Sequence, residues 1–314
     1  RLTPAAFANT MIGKSFRAAE TIKRKRGVVK NMKLAVRIAK NDVNDDAYVV
    51  LRGFESSIRK AAELGYDGVE LALGHSSDID FDRTEKLLQQ NNLEVSCLTT
   101  GQIFTKYHLY LTNPDRILRQ RAIDTFYDLV DIAERFGTMI NMGRVRGFYS
   151  DGQTAEQAEA LFIDALSYIV DKAAKKNVPV IVEPLNRYET NFINNARQCA
   201  DLLRWLAPEY CGIMLDLFHM NLEEVRLGQT FVDFGSQIKY VQFADSNKLA
   251  PGWGHIDFDD VFNGMHRAGY DGWCGVEVLA KPSADEAASQ AISFLRRYVP
   301  AERVRCAAYQ GERL

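Results

Sequence analysis

The sequence lacks the features that mark several large classes of protein. Its 314 residues contain no apolar run near the roughly 18 residues that cross a bilayer. Lys and Arg number 39 against 41 Asp and Glu, and the net charge of -2 disfavours a nucleic-acid partner. No CxxC pair occurs among the five cysteines, Cys97, Cys199, Cys211, Cys274 and Cys306. The odd number argues against a disulfide framework and a thiolate zinc site, and it predicts reduced thiols in the cytoplasm.

The first 31 residues differ in composition from the rest of the chain. The stretch KSFRAAETIKRKRGVVKN is basic and only weakly periodic, and it lies upstream of Met32. Residues 1–31 are therefore interpreted as an extension: a leader ahead of the natural start, a targeting segment, or an arm that contacts a partner. Residues 32–314 are expected to form one domain, because α/β barrels of about 250 residues commonly do.

From Met32 onward, short apolar runs rich in β-branched residues alternate with amphipathic stretches of helical length. This alternation predicts βα units around a parallel sheet. Helical patterns end at Gly65 and at Gly137, both candidate C-caps. Eight units without a Gly-rich phosphate turn favour a closed (β/α)8 TIM barrel over an open doubly wound sheet. The predicted strands span 33–39, 68–73, 94–100, 138–145, 178–183, 211–216, 238–244 and 273–279.

Predicted strands five to eight end at or near polar residues, Glu183, Asp216, Gln242 and Glu277. Strand C-termini of a barrel converge on one face, so these side chains are expected to share a site. Each alone could be a turn former or helix cap, and Gln242 could merely satisfy buried backbone groups. Three adjacent carboxylates would raise one another's pKa values unless a cation neutralised them. The oxygen-only set predicts a divalent metal, Mn²⁺ first, with Mg²⁺ and Co²⁺ as alternatives.

Four segments, VIVEPLNRYETNFIN, MLDLFHMNLEE, ADSNKLAPGWGHIDF and GVEVL, together resemble the sugar isomerase/epimerase superfamily of xylose isomerase-like barrels. The similarity is closest to keto-sugar and ketogluconate epimerases of the tagatose and psicose type. It implies that Glu183, Asp216 and Glu277 are metal ligands, and that Glu183 and Glu277 also transfer protons on opposite faces of a sugar. It further implies that Glu189 and His219 contact substrate hydroxyls or the carbonyl.

Two positions depart from the pattern of that family. Where such relatives usually carry a metal-binding histidine this chain has Gln242, and where they carry a substrate-binding arginine it has Lys248. The side-chain oxygen of Gln242 can still bind a metal. Lys248, however, offers a single ammonium group where arginine would offer a planar guanidinium with two parallel hydrogen-bond donors to the substrate. Loop residues His255, Arg144 and Arg146 are further substrate-binding candidates, with loop anchoring or structural ion pairing as the alternative.

The chemistry implied by these residues is proton abstraction next to a ketone. A metal bound to the ketone oxygen would stabilise the charge that develops when the adjacent C–H is deprotonated. One glutamate would take the proton and the other would return it to the opposite face of the enediolate, which inverts that carbon. His219 would polarise the carbonyl or shuttle a proton.

Two other functions stay open at this point. One is a lyase on the same scaffold, either a dehydratase or, with a small partner subunit, the catalytic subunit of a C-glycoside deglycosidase acting on 3-oxo-glycosides. The other is a non-catalytic sugar-binding barrel. An abasic-site endonuclease of similar fold would need a histidine-rich three-metal site and a basic groove, which five histidines and the net charge of -2 disfavour. The resemblance also implies a homo-oligomer, a dimer or tetramer.

Overall fold

Eight parallel strands form a closed barrel in the computed structural model, which describes residues 32–43 and 48–301. The first strand pairs with both the next barrel strand and the last, and this closure confirms the predicted (β/α)8 TIM barrel. The predicted extension, 1–31, lies outside the described residues. The strands, including one short addition (β2) that pairs with the end of β1, are β1 (Lys33–Ala39), β2 (Leu51–Arg52), β3 (Gly68–Ala72), β4 (Glu94–Thr99), β5 (Met139–Met142), β6 (Val180–Val182), β7 (Cys211–Asp216), β8 (Ile238–Phe243) and β9 (Trp273–Val276).

Helices follow the strands along the chain, and their apolar faces pack with strand residues in the main hydrophobic core, apart from a smaller cluster of Cys97, Ile181, Met214 and Tyr240. None of the described helices is long and apolar enough to cross a membrane. Two helices follow β4 and two follow β7, whereas the predicted βα units have one helix after each strand. The α-helices of the described residues are α1 (Phe54–Leu64), α2 (Phe81–Gln90), α3 (Gly101–Tyr107), α4 (Arg116–Phe136), α5 (Ala155–Lys175), α6 (Ala196–Leu203), α7 (Leu217–Glu223), α8 (Leu227–Phe234), α9 (Phe258–Arg267) and α10 (Ala284–Leu295).

Helix α4 illustrates how the local sequence sets an element. The Asp115 carboxylate accepts hydrogen bonds from the backbone N–H groups of Ile117 and Leu118, which otherwise lack partners in the first turn. The helix ends at Gly137, whose φ of 62° is the left-handed conformation that favours glycine. Between these caps an apolar stripe faces the core: Ile123, Phe126, Leu129 and Ala133 are buried, and Ile132 is partly exposed.

Several strands end earlier than the apolar patterns predicted. The predicted strand 138–145 stops at Met142, and Arg144–Arg146 forms a 3₁₀ turn. Val145 and Val278 lie beyond the strand ends but are fully buried. A buried loop residue carries the same apolar signal as a buried strand residue, so hydrophobicity alone overestimated the strands.

Candidate active site

A cavity of about 280 Å³ lies where the C-terminal ends of the barrel strands meet. This is the face on which TIM barrels carry their sites, and the volume suits one small ligand. Polar side chains from strand ends and from the following loops line it. They include Arg37, Tyr48, Asn141, Arg144, Glu183, Glu189, His219 and Glu277.

Glu183 directly follows β6 and is buried at the cavity wall. Its Oε2 accepts a hydrogen bond of 3.0 Å from Asn141 Nδ2, and its Oε1 lies 3.9 Å from His219 Nε2. Burial, together with the negative charge of Asp216, raises the pKa of Glu183 to about 7. A carboxyl group that titrates near neutrality is suited to take and return a proton.

His219 lies in the first turn of α7 and presents a neutral ring beside Glu183. Burial lowers the pKa of His219 to about 4. Its Nδ1 accepts from the Asn186 side-chain amide at 2.8 Å and from the Asn186 backbone N–H at 3.4 Å. Because a backbone N–H can only donate, Nδ1 is unprotonated and Nε2 carries the proton. His219 therefore offers an N–H donor on the side that faces Glu183.

Asp216 ends β7 and also caps α7. Its Oδ1 accepts from the backbone N–H groups of Phe218 at 2.7 Å and His219 at 3.2 Å, and its Oδ2 accepts from Lys248 Nζ at 2.7 Å. Burial acts to raise the pKa of Asp216, but Lys248, His219 and the backbone N–H group outweigh it and hold that pKa below its usual value. The chain thus keeps Asp216 as a charged acceptor.

Lys248 reaches the acids from the loop after β8. The side chain is buried, and Nζ lies 2.7 Å from Asp216 Oδ2 and 2.6 Å from Glu277 Oε2. The ammonium also lies 4.7 Å from the ring centre of Tyr48 and 5.3 Å from that of Phe218. The resemblance implied a substrate contact for Lys248, whereas the structure places a cation between two of the predicted metal ligands.

Glu277 and Gln242 belong to a chain of contacts that crosses the barrel. Glu277 pairs with Arg37, and Arg37 pairs with Glu70 on β3. Glu70 Oε1 accepts from Gln242 Nε2 at 2.8 Å. Gln242 Oε1 and Glu70 Oε2 are buried without a hydrogen-bond partner among the described residues. A buried carbonyl oxygen without a partner is unfavourable, and it is the type of atom that binds a hard cation.

The residues present fit a divalent metal ion. Glu183, Asp216 and His219 each offer one ligand atom, and these atoms lie within 4.8 Å of one another. Glu183 and Asp216 were predicted ligands, and His219 was predicted as a catalytic group. Glu277 is paired with Arg37 and Lys248, and the Gln242 amide nitrogen is bonded to Glu70.

At the cavity wall, two of the predicted loop residues lie together. Arg144 Nη2 lies 2.6 Å from Glu189 Oε2, and both side chains line the cavity. The hydroxyl of Tyr48 lies 3.3 Å from Glu189 Oε1. The Arg144 and Glu189 charges balance one another at this side of the cavity.

The structure places the other two loop candidates elsewhere. Arg146 is fully buried and donates to the backbone carbonyls of Gly143, Phe192 and Ile193, so it holds neighbouring loops together. His255 is exposed in the loop after β8, and its Nδ1 lies 2.9 Å from Ser246 Oγ.

Sequence reasoning did not single out several polar residues of the site. Arg37, Glu70 and Asn141 occupy interior positions of β1, β3 and β5, and each contacts a predicted site residue. The detectable signal was a polar residue inside an apolar strand, as in KLAVRIA, GVELA and MINM. These positions lie within the strands and in the first half of the barrel, whereas the predicted metal ligands lie at the ends of its last four strands.

Known proteins resemble the chain in sequence and in fold. The family described as xylose isomerase-like TIM barrel matches residues 58–298. A ketose 3-epimerase of Arthrobacter globiformis is 29% identical over 223 residues, 70% of this chain and 75% of the relative. A 3-dehydro-D-guloside 4-epimerase of Escherichia coli K12 is 33% identical over 113 residues, 35% of this chain and 42% of the relative. The D-allulose 3-epimerase of Methylomonas sp., solved with D-allulose, superimposes with a TM-score of 0.73 at 22% identity, covering 85% of this chain and 97% of that one.

Proposed function

We propose, because the chain belongs to the xylose isomerase-like TIM barrel family, that it epimerises or isomerises a keto-sugar or keto-sugar acid. Relatives named as ketose 3-epimerases and as a dehydroguloside 4-epimerase support this class of enzyme. Both names describe inversion of one carbon in a sugar. The chain covers 75% of the length of the Arthrobacter relative.

One observation carries the proposal: two carboxyl groups reach a single small cavity from different sides of the barrel. Glu183 follows β6 and Glu277 follows β9, and three strand intervals separate these strands in the sheet order. A ligand between them presents one face to each carboxyl group. Proton removal on one face and return on the other inverts a carbon, as epimerisation requires.

The raised pKa of Glu183 supports a role as proton-transfer group, because a group that titrates at about 7 can exist in both forms under neutral conditions. Glu277, the proposed partner base, is held in place by its ion pairs with Arg37 and Lys248. The Nε2–H of His219 would donate to the substrate carbonyl oxygen. Glu189 and Arg144 would bind substrate hydroxyls at the side of the cavity.

A divalent ion would be held in this site by oxygen atoms. When bound, it supplies Lewis-acid polarisation of a ketone. Glu183, Asp216 and Glu277 remain the proposed carboxylate ligands, and Gln242 Oε1, buried and unpartnered among the described residues, is the proposed fourth. Coordination by His219 Nε2 would require this nitrogen to lose the proton that the Nδ1 contacts assign to it, so the donor role is favoured.

The choice of ion, assembly and location are further proposals that rest on the sequence. Mn²⁺ is preferred, with Mg²⁺ and Co²⁺ as alternatives, because oxygen ligands favour hard cations. A homo-oligomer, dimer or tetramer, and a cytoplasmic location follow the expectations from the family resemblance and the cysteines. Light scattering of the purified protein tests the assembly, and elemental analysis tests the ion.

Solvent-deuterium exchange tests the proposed reaction. The Mn²⁺-loaded protein is incubated in ²H₂O with ketoses, ketogluconates and 3-oxo-glycosides, and the products are followed by NMR and mass spectrometry. We expect one carbon-bound proton next to a ketone to be replaced by deuterium, with inversion or isomerisation of the sugar. Release of water or an aglycone would identify a lyase instead. Exchange with none of the sugars would contradict the proposal.

The matched variants are Glu183→Gln and Glu209→Gln. The first removes a proposed proton-transfer group at nearly constant volume, and the second removes an exposed carboxyl group from the surface. We expect formation of the inverted sugar, which needs both carboxyl groups, to fall by at least about 100-fold in the first, the typical contribution of a positioned acid or base. We expect the second to match the unmodified protein.

A further inference from the structure

The side chain of Lys248 is buried among acidic and aromatic side chains. Its side chain is 2% exposed, with carboxylate oxygens of Asp216 and Glu277 at 2.7 and 2.6 Å and the rings of Tyr48 and Phe218 at 4.7 and 5.3 Å. A buried ammonium is unfavourable unless it is paired with opposite charge. Lys248 has two carboxylates and two aromatic faces, which together make a cation site within the protein.

The backbone around Lys248 holds its side chain in this direction. Lys248 has a φ of 60°, a left-handed conformation that is unfavourable for a residue with a side chain. Its N–H donates to the carbonyl of Asp245 at 2.9 Å, and its carbonyl accepts from the N–H of Leu279 at 2.8 Å. The Asp245 carboxylate in turn accepts from the backbone N–H groups of Gly252 and Ile256. The loop therefore presents Lys248 to the acids as a fixed part of the fold.

The position of the ammonium conflicts with a metal ion shared by Asp216 and Glu277. Mg²⁺ lies roughly 2.0–2.1 Å from its oxygen ligands. The ammonium lies within hydrogen-bond distance of one oxygen of each acid, so an ion that bridges the same two oxygens would overlap with it and would be repelled by its charge. One cation at a time can occupy the space between these oxygens.

We propose that the ammonium group of Lys248 competes with the divalent ion for the carboxylate oxygens of Asp216 and Glu277. Its ammonium and the ion exclude one another from the Asp216–Glu277 pair, so Lys248 sets the ion affinity of the site and holds the two acids together when the ion is absent. The inference rests on the proposed function, because it concerns the ion of the same site. It differs from the role in substrate binding that the resemblance implied for this residue.

Ion affinity in a Lys248→Met variant tests the competition. Methionine keeps the length of the side chain and removes the charge. Calorimetric titration with Mn²⁺ alone, after chelation, should give roughly tenfold or tighter binding in the variant than in the unmodified protein, because a positive charge next to the ligands is gone. The matched control is Lys60→Met, which removes a surface lysine paired with Asp285 at 2.7 Å and should leave Mn²⁺ affinity unchanged. Equal or weaker Mn²⁺ binding in Lys248→Met would overturn the proposal.

Thermal unfolding of the same variants tests the second part of the proposal. The ion-free Lys248→Met protein should unfold at a lower temperature than the unmodified protein, because the buried Asp216 loses its lysine partner and Glu277 keeps only Arg37. Saturating Mn²⁺ should raise its melting temperature more than that of the unmodified protein. Equal melting temperatures of the two ion-free proteins would contradict the role of Lys248 in holding the acids.

If the Lys248→Met variant does not fold, ¹⁵N NMR of the Lys248 ammonium in the unmodified protein tests the same competition. A buried, paired lysine ammonium exchanges its protons slowly, and its Nζ signal can be observed by ¹⁵N NMR. The signal is assigned by its loss in Lys248→Arg, which keeps the charge. We expect it to shift or vanish when Mg²⁺ saturates the site, and a signal unchanged at saturation would overturn the proposal. These readouts do not use turnover, so they can fail independently of the deuterium-exchange test of the reaction.

Discussion

Glu183→Gln should change how the stability of the ion-free protein depends on pH. The pKa of Glu183 is raised from 4.5 to about 7, mainly by burial and next by Asp216. Between these two values the folded protein holds a proton that the unfolded chain has lost. The folded state therefore binds more protons, and the free energy of unfolding falls as pH rises through this window. The full effect is about 3 kcal/mol, since each pKa unit corresponds to about 1.4 kcal/mol.

Glutamine keeps the shape of the protonated acid and does not titrate. The difference in unfolding free energy, variant minus unmodified protein, should therefore grow by about 3 kcal/mol from pH 4 to pH 8. Urea unfolding in the presence of a chelator, at intervals across this range, measures it. Glu209→Gln, at an exposed position, should give a flat difference and controls for a general loss of charge. A difference for Glu183→Gln that stays constant, or that shrinks with rising pH, would refute the assignment of Glu183 as a proton carrier poised near neutrality.

Three further outcomes follow from the same contacts. Asn141→Ala removes a donor that lowers the pKa of Glu183, so in the ion-free protein the pH window in which the free energy of unfolding falls should extend upward by about one pH unit; an unmoved window would contradict this role. The ¹⁵N spectrum of His219 should show a neutral ring with the proton on Nε2 down to about pH 4, and a proton on Nδ1 would contradict the Asn186 contacts. Chelation should abolish deuterium exchange and Mn²⁺ should restore it without a change in circular dichroism, whereas undiminished exchange after complete ion removal would argue against a required metal.

The barrel itself was readable from the sequence because parallel strands buried on both faces appear as short apolar runs. Eight such runs, separated by stretches of helical length, predicted the closed sheet, and the pairings of β1 with β3 and with β9 confirm it. The ends of the strands were less accurate, since buried loop residues such as Val145 look like strand residues. The short strand β2 was not predicted, because two residues carry no periodic pattern.

The strand ends also indicated where the site lies. Glu183, Asp216 and Glu277 are buried at the face where a barrel carries its chemistry. What the pattern could not give was the partner of each side chain. Lys248 contacts acids that lie 32 and 29 residues away in the chain, and the resemblance that implied a substrate contact for it did not indicate these two partners.

The amide of Gln242 shows the same limit. Its position in an apolar strand predicted a buried side chain with a role, and the side chain is fully buried. Its bond to Glu70 on β3, 172 residues away, depends on the closure of the barrel. A polar residue inside a strand is visible in sequence, whereas the residue it meets across the barrel is a property of the fold.

The most direct test of the central claim measures deuterium exchange on each epimer separately. Glu183→Gln and Glu277→Gln are each incubated in ²H₂O with one pure epimer and then with the other, and the initial exchange rate is followed by NMR. If the two carboxyl groups serve opposite faces of the substrate, each variant will lose exchange with one epimer and keep it with the other, in reciprocal fashion. Loss of exchange with the same epimer in both variants, or unchanged exchange in either variant, would contradict the account.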